Sequence, residues 1–333
     1  MRFITTTCIV VLVFLGKICY GEQVVVYTSE DKAFSEPILQ KFEKTSGIKV
    51  LAIYDTEETK STGLMNRLIV EKKNPQADVF WSGDPIRPVL LEMKGITAPY
   101  ISESASDIPE IYKDDEGYWT GFSAQARIIL YNTNLVGMDE KPLSIFDLVK
   151  PKWKGQVAIA NPLFGTTLAH IAALFITLGD EKAREYLNDL KANGVRIVSS
   201  NGEVKRLVTR GEVKVGLTDT DDANVAIQEG KPVKMVFPDQ LGIGTFIMPN
   251  MVCLINNSLN PENGKKLIDY LLSRKVEKKL AWAPSAQMPL RHDVKTPAHV
   301  VTINAINGMR LDYHKVAKKL DEISEFLKQW AGY

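Results

Sequence analysis

From Gln23 onward the chain alternates short β-branched runs with amphipathic helical stretches, and this alternation between period 2 and period 3.6 leaves few folds open. Val24 to Tyr27 predicts a strand, Ile38, Leu39 and Phe42 predict an apolar helical face that stops at Gly47, and Ile48 to Ile53 predicts the next strand. That is a βαβ opening. A helix from Gly63 to Lys73, a strand from Asp78 to Trp81 and a helix from Pro85 to Lys94 continue it. Strands separated by helices of this length favour a mostly parallel sheet covered on both faces.

The middle of the chain repeats the style. Strands are expected at Arg127 to Tyr131, Gln156 to Ala160, Val195 to Val198 and Val213 to Leu217, with helices at Thr166 to Leu178, Glu181 to Ala192, Glu203 to Thr209 and Asp222 to Gln228. Late strands at Thr245 to Met248 and Met251 to Ile255, with helices at Pro261 to Leu272 and Lys275 to Ala281, return to the first unit. A last helix, Tyr313 to Trp330, carries Val316, Leu320, Ile323 and Leu327 at helical spacing and is expected to pack as a clasp. The expectation is therefore an α/β protein of two doubly wound domains with a cleft between the carboxyl ends of their sheets, where ligands bind. Its 333 residues suit two domains.

The first 21 residues stand apart. Arg2, an apolar stretch from Ile9 to Leu15 and small or polar residues around Gly21 have the order of a cleaved export signal. The stretch is too short to cross a hydrocarbon core of about 30 Å, and Lys17 interrupts it. Cleavage after Gly21 removes Arg2 and Lys17 but no acid, leaving 39 basic and 40 acidic residues. A lipid anchor on Cys19 is the minor alternative. Near-neutrality excludes a nucleic-acid binder, which needs clustered cations to neutralise phosphates. Cys253, inside Met251 to Ile255, is expected to be a buried, inert thiol.

The strand-to-helix turns are unusually polar. Thr28-Ser29-Glu30-Asp31 follows the first strand and has two readings, a helix cap and a cleft contact. Ser61-Thr62-Gly63 and Gly165-Thr166-Thr167 each precede a helix. Small residues there leave unpaired N–H groups reachable, and two such turns in different domains suit the clamping of an anion; taken alone, Thr166 reads as an N-cap. Asp84 before Pro85 is a capping pair first and a site residue second, while Trp81 is either core or a ligand platform. Thr218-Asp219-Thr220-Asp221-Asp222 concentrates three carboxylates that repel one another unless helix amides, a cation or an amine neutralises them. One is expected to cap the helix and the others to hold a hard cation or an ammonium, a solvated acidic loop being the alternative. Arg127, alone among Ile128-Ile129-Leu130, either meets a bound anion or braces the two domains. No GxSxG elbow, P-loop or HExxH motif is present, and His170 falls on an apolar helix face, as a packed core histidine does.

Several stretches together resemble the extracellular solute-binding proteins of bacterial ABC importers, most nearly their ferric-iron-binding branch. They are Val24-Val25-Val26-Tyr27, Pro75-Gln76-Ala77-Asp78-Val79, Ala126 through Thr133, and Pro151-Lys152-Trp153-Lys154-Gly155 through Asn161-Pro162 to Gly165-Thr166-Thr167. The resemblance covers essentially the whole mature chain. It implies the type II periplasmic binding protein fold, with lobe 1 built from residues 22–122 and 246–300, lobe 2 from 123–245 and a helical clasp from 301–333. It further implies a monomer that closes on a solute in the periplasm and delivers it to an inner-membrane permease. In the ferric branch an adjacent tyrosine pair, a histidine and a glutamate bind the metal, and a helix-start turn binds a synergistic anion.

Here Asp221 and Asp222 fall at the tyrosine pair, Asp31 near the histidine, and Gly83 near the glutamate with Asp84 adjacent. Gly165, Thr166 and Thr167 match the anion turn, with Asn201 and Asp219 near its polar partners, and Gln125 replaces one of two hinge-strand arginines while Arg127 keeps the other. The anion half is retained and the phenolate half is not. The expected ligand contacts are therefore Ser29, Ser61, Thr62, Gly63, Asp84, Arg127, Gly165, Thr166, Thr167, Asn201 and Asp219, with Asp31, Asp221 and Asp222 on a metal or other cationic part. No cofactor is required; Fe3+ or another hard cation enters only as the transported ligand, and a small anion such as an aminoalkylphosphonate fits the same set. The competing readings are an exported metal-dependent hydrolase on the same bilobal fold, which lacks a recognisable base or nucleophile, and a sensor that docks on a receptor.

Overall fold

The computed structural model describes residues 22–55 and 62–332. The expected export signal and Ser61 lie outside the described residues. In chain order the first elements are β1 (Gln23–Thr28), α1 (Lys32–Ser46), β2 (Lys49–Tyr54), α2 (Thr62–Val70), β3 (Val79–Ser82), α3 (Ile86–Met93) and β4 (Thr97–Ala98). After a long strand, β5 (Thr120–Asn132), come β6 (Val157–Ala160), α4 (Gly165–Leu178), α5 (Asp180–Ala192), β7 (Arg196–Val198), α6 (Asn201–Thr209), β8 (Val215–Asp219), α7 (Thr220–Gln228) and β9 (Val233–Val236). The chain ends with β10 (Ile247–Ile255), α8 (Pro261–Leu271), α9 (Arg274–Ala281) and α10 (Tyr313–Ala331).

The strands run in the order β2-β1-β3-β10-β5-β8-β6-β7, with β4 on β10 and β9 on β5. The sheet is mixed, which corrects the mostly parallel expectation. Its two ends are parallel, β2-β1-β3 on one side and β8-β6-β7 on the other, as βαβ crossovers require. Between them β5 and β10 run antiparallel to their neighbours. β5 joins the two halves: Thr120 to Ala126 pairs with β10, and Arg127 to Tyr131 pairs with β8. Its first seven residues were not expected to be strand, because Gly121, Ser123 and Gln125 interrupt the apolar pattern.

The two late strands expected on either side of Pro249 are one strand, β10, with a register shift between Pro249 and Asn250. Opposite it Ala124 pairs with Pro249 and Phe122 with Asn250, so Ser123 is the extra residue of a β-bulge, held at φ 44°. Its N–H donates to Glu277 Oε1 at 3.1 Å instead of to the ladder. A bulge absorbs the proline, which has no ladder donor to offer.

Alternation along the strands builds an apolar layer on each face. Val24, Val26, Val79, Trp81, Ile128 and Leu130 point to one side, and Tyr27, Phe80, Ile129 and Tyr131 to the other. Trp81 is fully buried and therefore core. So is Cys253, whose thiol is pushed up by burial, away from nucleophilic use. α10 packs on both α3 and α4, across the two halves of the sheet. Among the described residues, no helix is long and apolar enough to cross a membrane.

Candidate functional site

The carboxyl ends of the parallel strands β6, β7 and β8 each feed a helix, and the starts of α4, α6 and α7 converge on one cavity of ≈ 290 Å³. From this side it is lined by Asn161, Phe164, Gly165, Thr166 and Thr167, by Ser199 to Gly202 with Lys205, and by Asp219, Asp221 and Asp222. The turns after β1 and β3 face them with Ser29, Glu30, Asp31 and Gly83, and Gln125 reaches in from β5.

A buried ion pair carries the floor. Arg127 and Asp219 are direct cross-strand partners in the β5–β8 register, so both side chains point to the same face. Arg127 Nη1 donates to Asp219 Oδ1 at 2.6 Å and to Asn201 Oδ1 at 3.0 Å, and Nη2 reaches the carbonyl of Leu217 at 3.3 Å. The second oxygen of Asp219 accepts from the Thr166 hydroxyl at 2.7 Å and from Asn201 Nδ2 at 2.8 Å. Both charges are almost completely desolvated, with side-chain exposure of 1% and 7%. Neither reading open for Arg127 holds as stated: the guanidinium lies beneath the cavity and is not one of its lining residues, and its ion pair joins β5 to β8 within residues 123–245, so it braces the floor of the cavity and not the two domains.

This network settles two local questions. Thr166 is not a cap: Phe164 is the N-cap of α4, no side chain caps that helix, and Gly165 opens it at φ 54°. The first-turn amides of α4 therefore face the cavity uncapped, with the partial positive charge of the helix end behind them. Asp219 is in the N-cap position of α7 but makes no side-chain cap, since its carboxylate is committed to Arg127, Thr166 and Asn201. α7 begins at Thr220, two residues earlier than expected, which puts Asp221 and Asp222 in its first turn where the helix end favours negative charge.

Lys205 was not among the expected contacts. Its ammonium pairs with Asp222 Oδ1 at 2.8 Å, while the Thr218 hydroxyl donates to Asp222 Oδ2 at 3.1 Å. Burial alone would pull Lys205 down, but Asp222, with help from Asp221, holds it above the usual lysine range. Asn201 and Lys205 are four apart on α6 and share a face, and that spacing is the signal in the sequence by which it could have been found.

Glu30 was also passed over, although it lies within the polar turn that drew attention to Ser29 and Asp31. It is buried, and its Oε1 accepts from Gln287 Nε2 at 2.7 Å. Gln287 Oε1 in turn accepts from Asn250, and Asn250 Oδ1 from the indole of Trp81, so Asn250, on β10 opposite the β5 bulge, positions this carboxylate through Gln287. Gly83 makes room for it: a Cβ there would lie 2.7 Å from Glu30 Oε2. Ser29 Oγ accepts the Gly83 N–H at 3.2 Å, tying the two turns together.

Three expected contacts stand elsewhere. Asp84 is fully buried, accepting the N–H of Ile86 at 2.7 Å and pairing with Arg87 at 3.2 Å; Pro85 stands at the N-cap of α3, and Asp84 supports the start of that helix from one residue before it, outside the cavity lining. Thr62 accepts from Arg87 at 3.2 Å, and neither it nor Gly63 lines the cavity. Behind the floor His170 stacks on Phe246 with ring centroids 5.6 Å apart. Burial and the nearby Arg127 pull it down to about 3, so it is a neutral core residue.

Among the described lining residues there is no tyrosine, histidine or cysteine. The donors are hydroxyls, amides, five carboxylates and Lys205, a hard, oxygen-rich set.

Residues 74–304 match the family model of the bacterial extracellular solute-binding proteins. Iron uptake protein A1 of Synechocystis is 31% identical over 78% of this chain and 74% of its own. A Salmonella typhimurium periplasmic protein named for 2-aminoethylphosphonate binding is 30% identical, over 80% and 77%. Iron-bound HitA of Pseudomonas aeruginosa superposes with a TM-score of 0.83, covering 94% of this chain and 100% of that one at 20% identity.

Proposed function

This chain belongs to the bacterial extracellular solute-binding proteins, the two-lobed, non-enzymatic binding components of ABC importers, and we propose that its solute pairs a cationic centre with an anionic group. One observation carries the reading. The uncapped start of α4 and a surplus of carboxylates open into the same small cavity. Asp219 pairs with Arg127 and Asp222 with Lys205, and Glu30, Asp31 and Asp221 add three more carboxylates to the same lining, an acidic wall suited to a positive guest, while an anionic group docks on the amides at Gly165 to Thr167.

A compact aminoalkylphosphonate meets both demands in one molecule, and the lack of any phenol or imidazole among the described lining residues favours it over iron held in the manner of the ferric branch. Ferric iron with a small anion is the second reading, supported by the oxygen-rich donor set and by the relative named for iron uptake.

We assign residues 22–122 with 246–300 to one lobe, 123–245 to the other and 301–333 to the clasp. The crossing strands β5 and β10 are then the hinge, and the lobes close because the solute contacts both walls only in the closed state. The protein acts as a periplasmic monomer handing its cargo to an inner-membrane permease.

The test is thermal unfolding with 2-aminoethylphosphonate, ethylphosphonate, ammonium, or ferric iron with citrate. At about 100 times the dissociation constant the solute stabilises by about 2.7 kcal/mol. At roughly 2 °C per kcal/mol for a chain this long, the midpoint rises by about 5 °C. The zwitterion is expected to exceed either half alone, and Asp221→Asn with Asp222→Asn to abolish its effect. A shift with ferric citrate alone selects the second reading; a shift untouched by the double substitution removes both aspartates from the site.

A further inference from the structure

Far from the cavity, Glu92 on α3, Asp114 in the loop before β5 and His314 in the first turn of α10 each offer one donor atom, and the three atoms lie within 4.8 Å of one another. We propose that this triad is a binding site for a first-row divalent cation, with zinc the best match, that fastens the start of α10 to α3. His314 Nε2 is 3.0 Å from both Glu92 oxygens. Three donors about 2.0 to 2.2 Å from a tetrahedral centre stand roughly 3.3 to 3.6 Å apart, so small side-chain shifts suffice.

Two further features separate this group from an ordinary surface cluster. Among the described residues no lysine or arginine lies within 4.0 Å of either carboxylate, and the one basic group beside Glu92 is the His314 imidazole, itself a metal-ligating side chain. Its ligands are also pre-oriented from behind, as supporting hydrogen bonds orient metal ligands. The Trp119 indole donates to Glu92 Oε2 at 2.9 Å, and Asp114 Oδ1 accepts the N–H groups of Glu116 and Tyr118 at 3.1 and 2.9 Å. One imidazole with two carboxylates is a ligand set that zinc accepts, with water completing the shell.

The far end of α10 is already tied down, the Trp330 indole donating to the carbonyl of Leu187 at 2.9 Å and Lys191 donating to the carbonyl of Trp330 at 2.6 Å. A cation at His314 pins the opposite end. The proposal does not depend on the identity of the solute.

The test uses the full mature protein, stripped with a chelator and carrying Asp221→Asn and Asp222→Asn so that the acidic cavity does not compete. Titration with zinc chloride is expected to show one equivalent bound and a raised unfolding temperature, and cobalt(II) to give a visible d–d band. His314→Gln, which keeps a hydrogen-bond partner for Glu92, and Asp114→Asn should each weaken zinc at least tenfold and remove the band. No stoichiometric binding, or equal affinity in both variants, overturns the proposal.

Discussion

Replacing Asp219 by Asn keeps the shape of the side chain and removes its charge, leaving Arg127 ionised, buried and facing only dipoles. Removing one partner of a buried ion pair costs about 3 to 5 kcal/mol. With side-chain exposures of 1% and 7%, solvent does little to screen the pair. The Asn201 and Leu217 oxygens at 3.0 and 3.3 Å still accept from the guanidinium, which puts the expected loss near the lower end, about 3 kcal/mol. At roughly 2 °C per kcal/mol the melting temperature falls by about 6 °C. Solute affinity falls with it, because Thr166 and Asn201 are both held by the lost carboxylate. Denaturant unfolding of Asp219→Leu, Arg127→Met and the double variant Arg127→Met with Asp219→Leu completes a cycle, with Asp219→Asn as the charge-only control. Replacing the whole pair by apolar side chains should recover stability to within about 1 kcal/mol of the parent. An Asp219→Asn protein within about 1 kcal/mol of the parent, or a double variant no better than either single, refutes the claim that a desolvated ion pair braces the floor.

Gly83→Ala places a methyl 2.7 Å from Glu30 Oε2 and forces that buried carboxylate away from Gln287; calorimetry should show at least tenfold weaker solute binding, and overpacking of about 1 to 3 kcal/mol should lower the melting temperature by about 2 to 6 °C. The buried neutral His170 makes stability depend on acid. Its folded value of about 3 lies below the ordinary 6.5, so as pH falls below 6.5 the unfolded chain takes up a proton that the folded one refuses. Unfolding free energy should drop by about 1.4 kcal/mol per pH unit from this group until pH nears 3, and His170→Phe should flatten the profile by that slope in denaturant titrations at pH 4 to 7.

Local pattern sufficed for much of this molecule. The βαβ rhythm located most of the helices and the parallel strands, since amphipathic periodicity is written in neighbouring residues. The polar turns at Gly165 to Thr167 and Asp219 to Asp222 were visible for the same reason: a strand followed by small or acidic residues announces a helix start. Pairing is another matter. Ser123 as a bulge, the continuity of β10 through Pro249 and the early start of β5 arise from contacts between segments more than a hundred residues apart, and nothing beside Thr120 in the chain signals them.

The same division runs through the site. The chain alone specified that Arg127 sits in an apolar strand and that Asp219, Asp221 and Asp222 cluster, and it left open which carboxylate meets which cation. The β5–β8 register answered that by setting Arg127 opposite Asp219, and the approach of α6 gave Asp222 its Lys205. Glu30 became a wall of the cavity only because Gly83 and Gln287, the latter held by Asn250, came to it from distant segments. Helix and strand propensities are properties of short stretches, whereas the compensation of a buried charge depends on which stretch packs against it, and that is decided when the whole sheet closes.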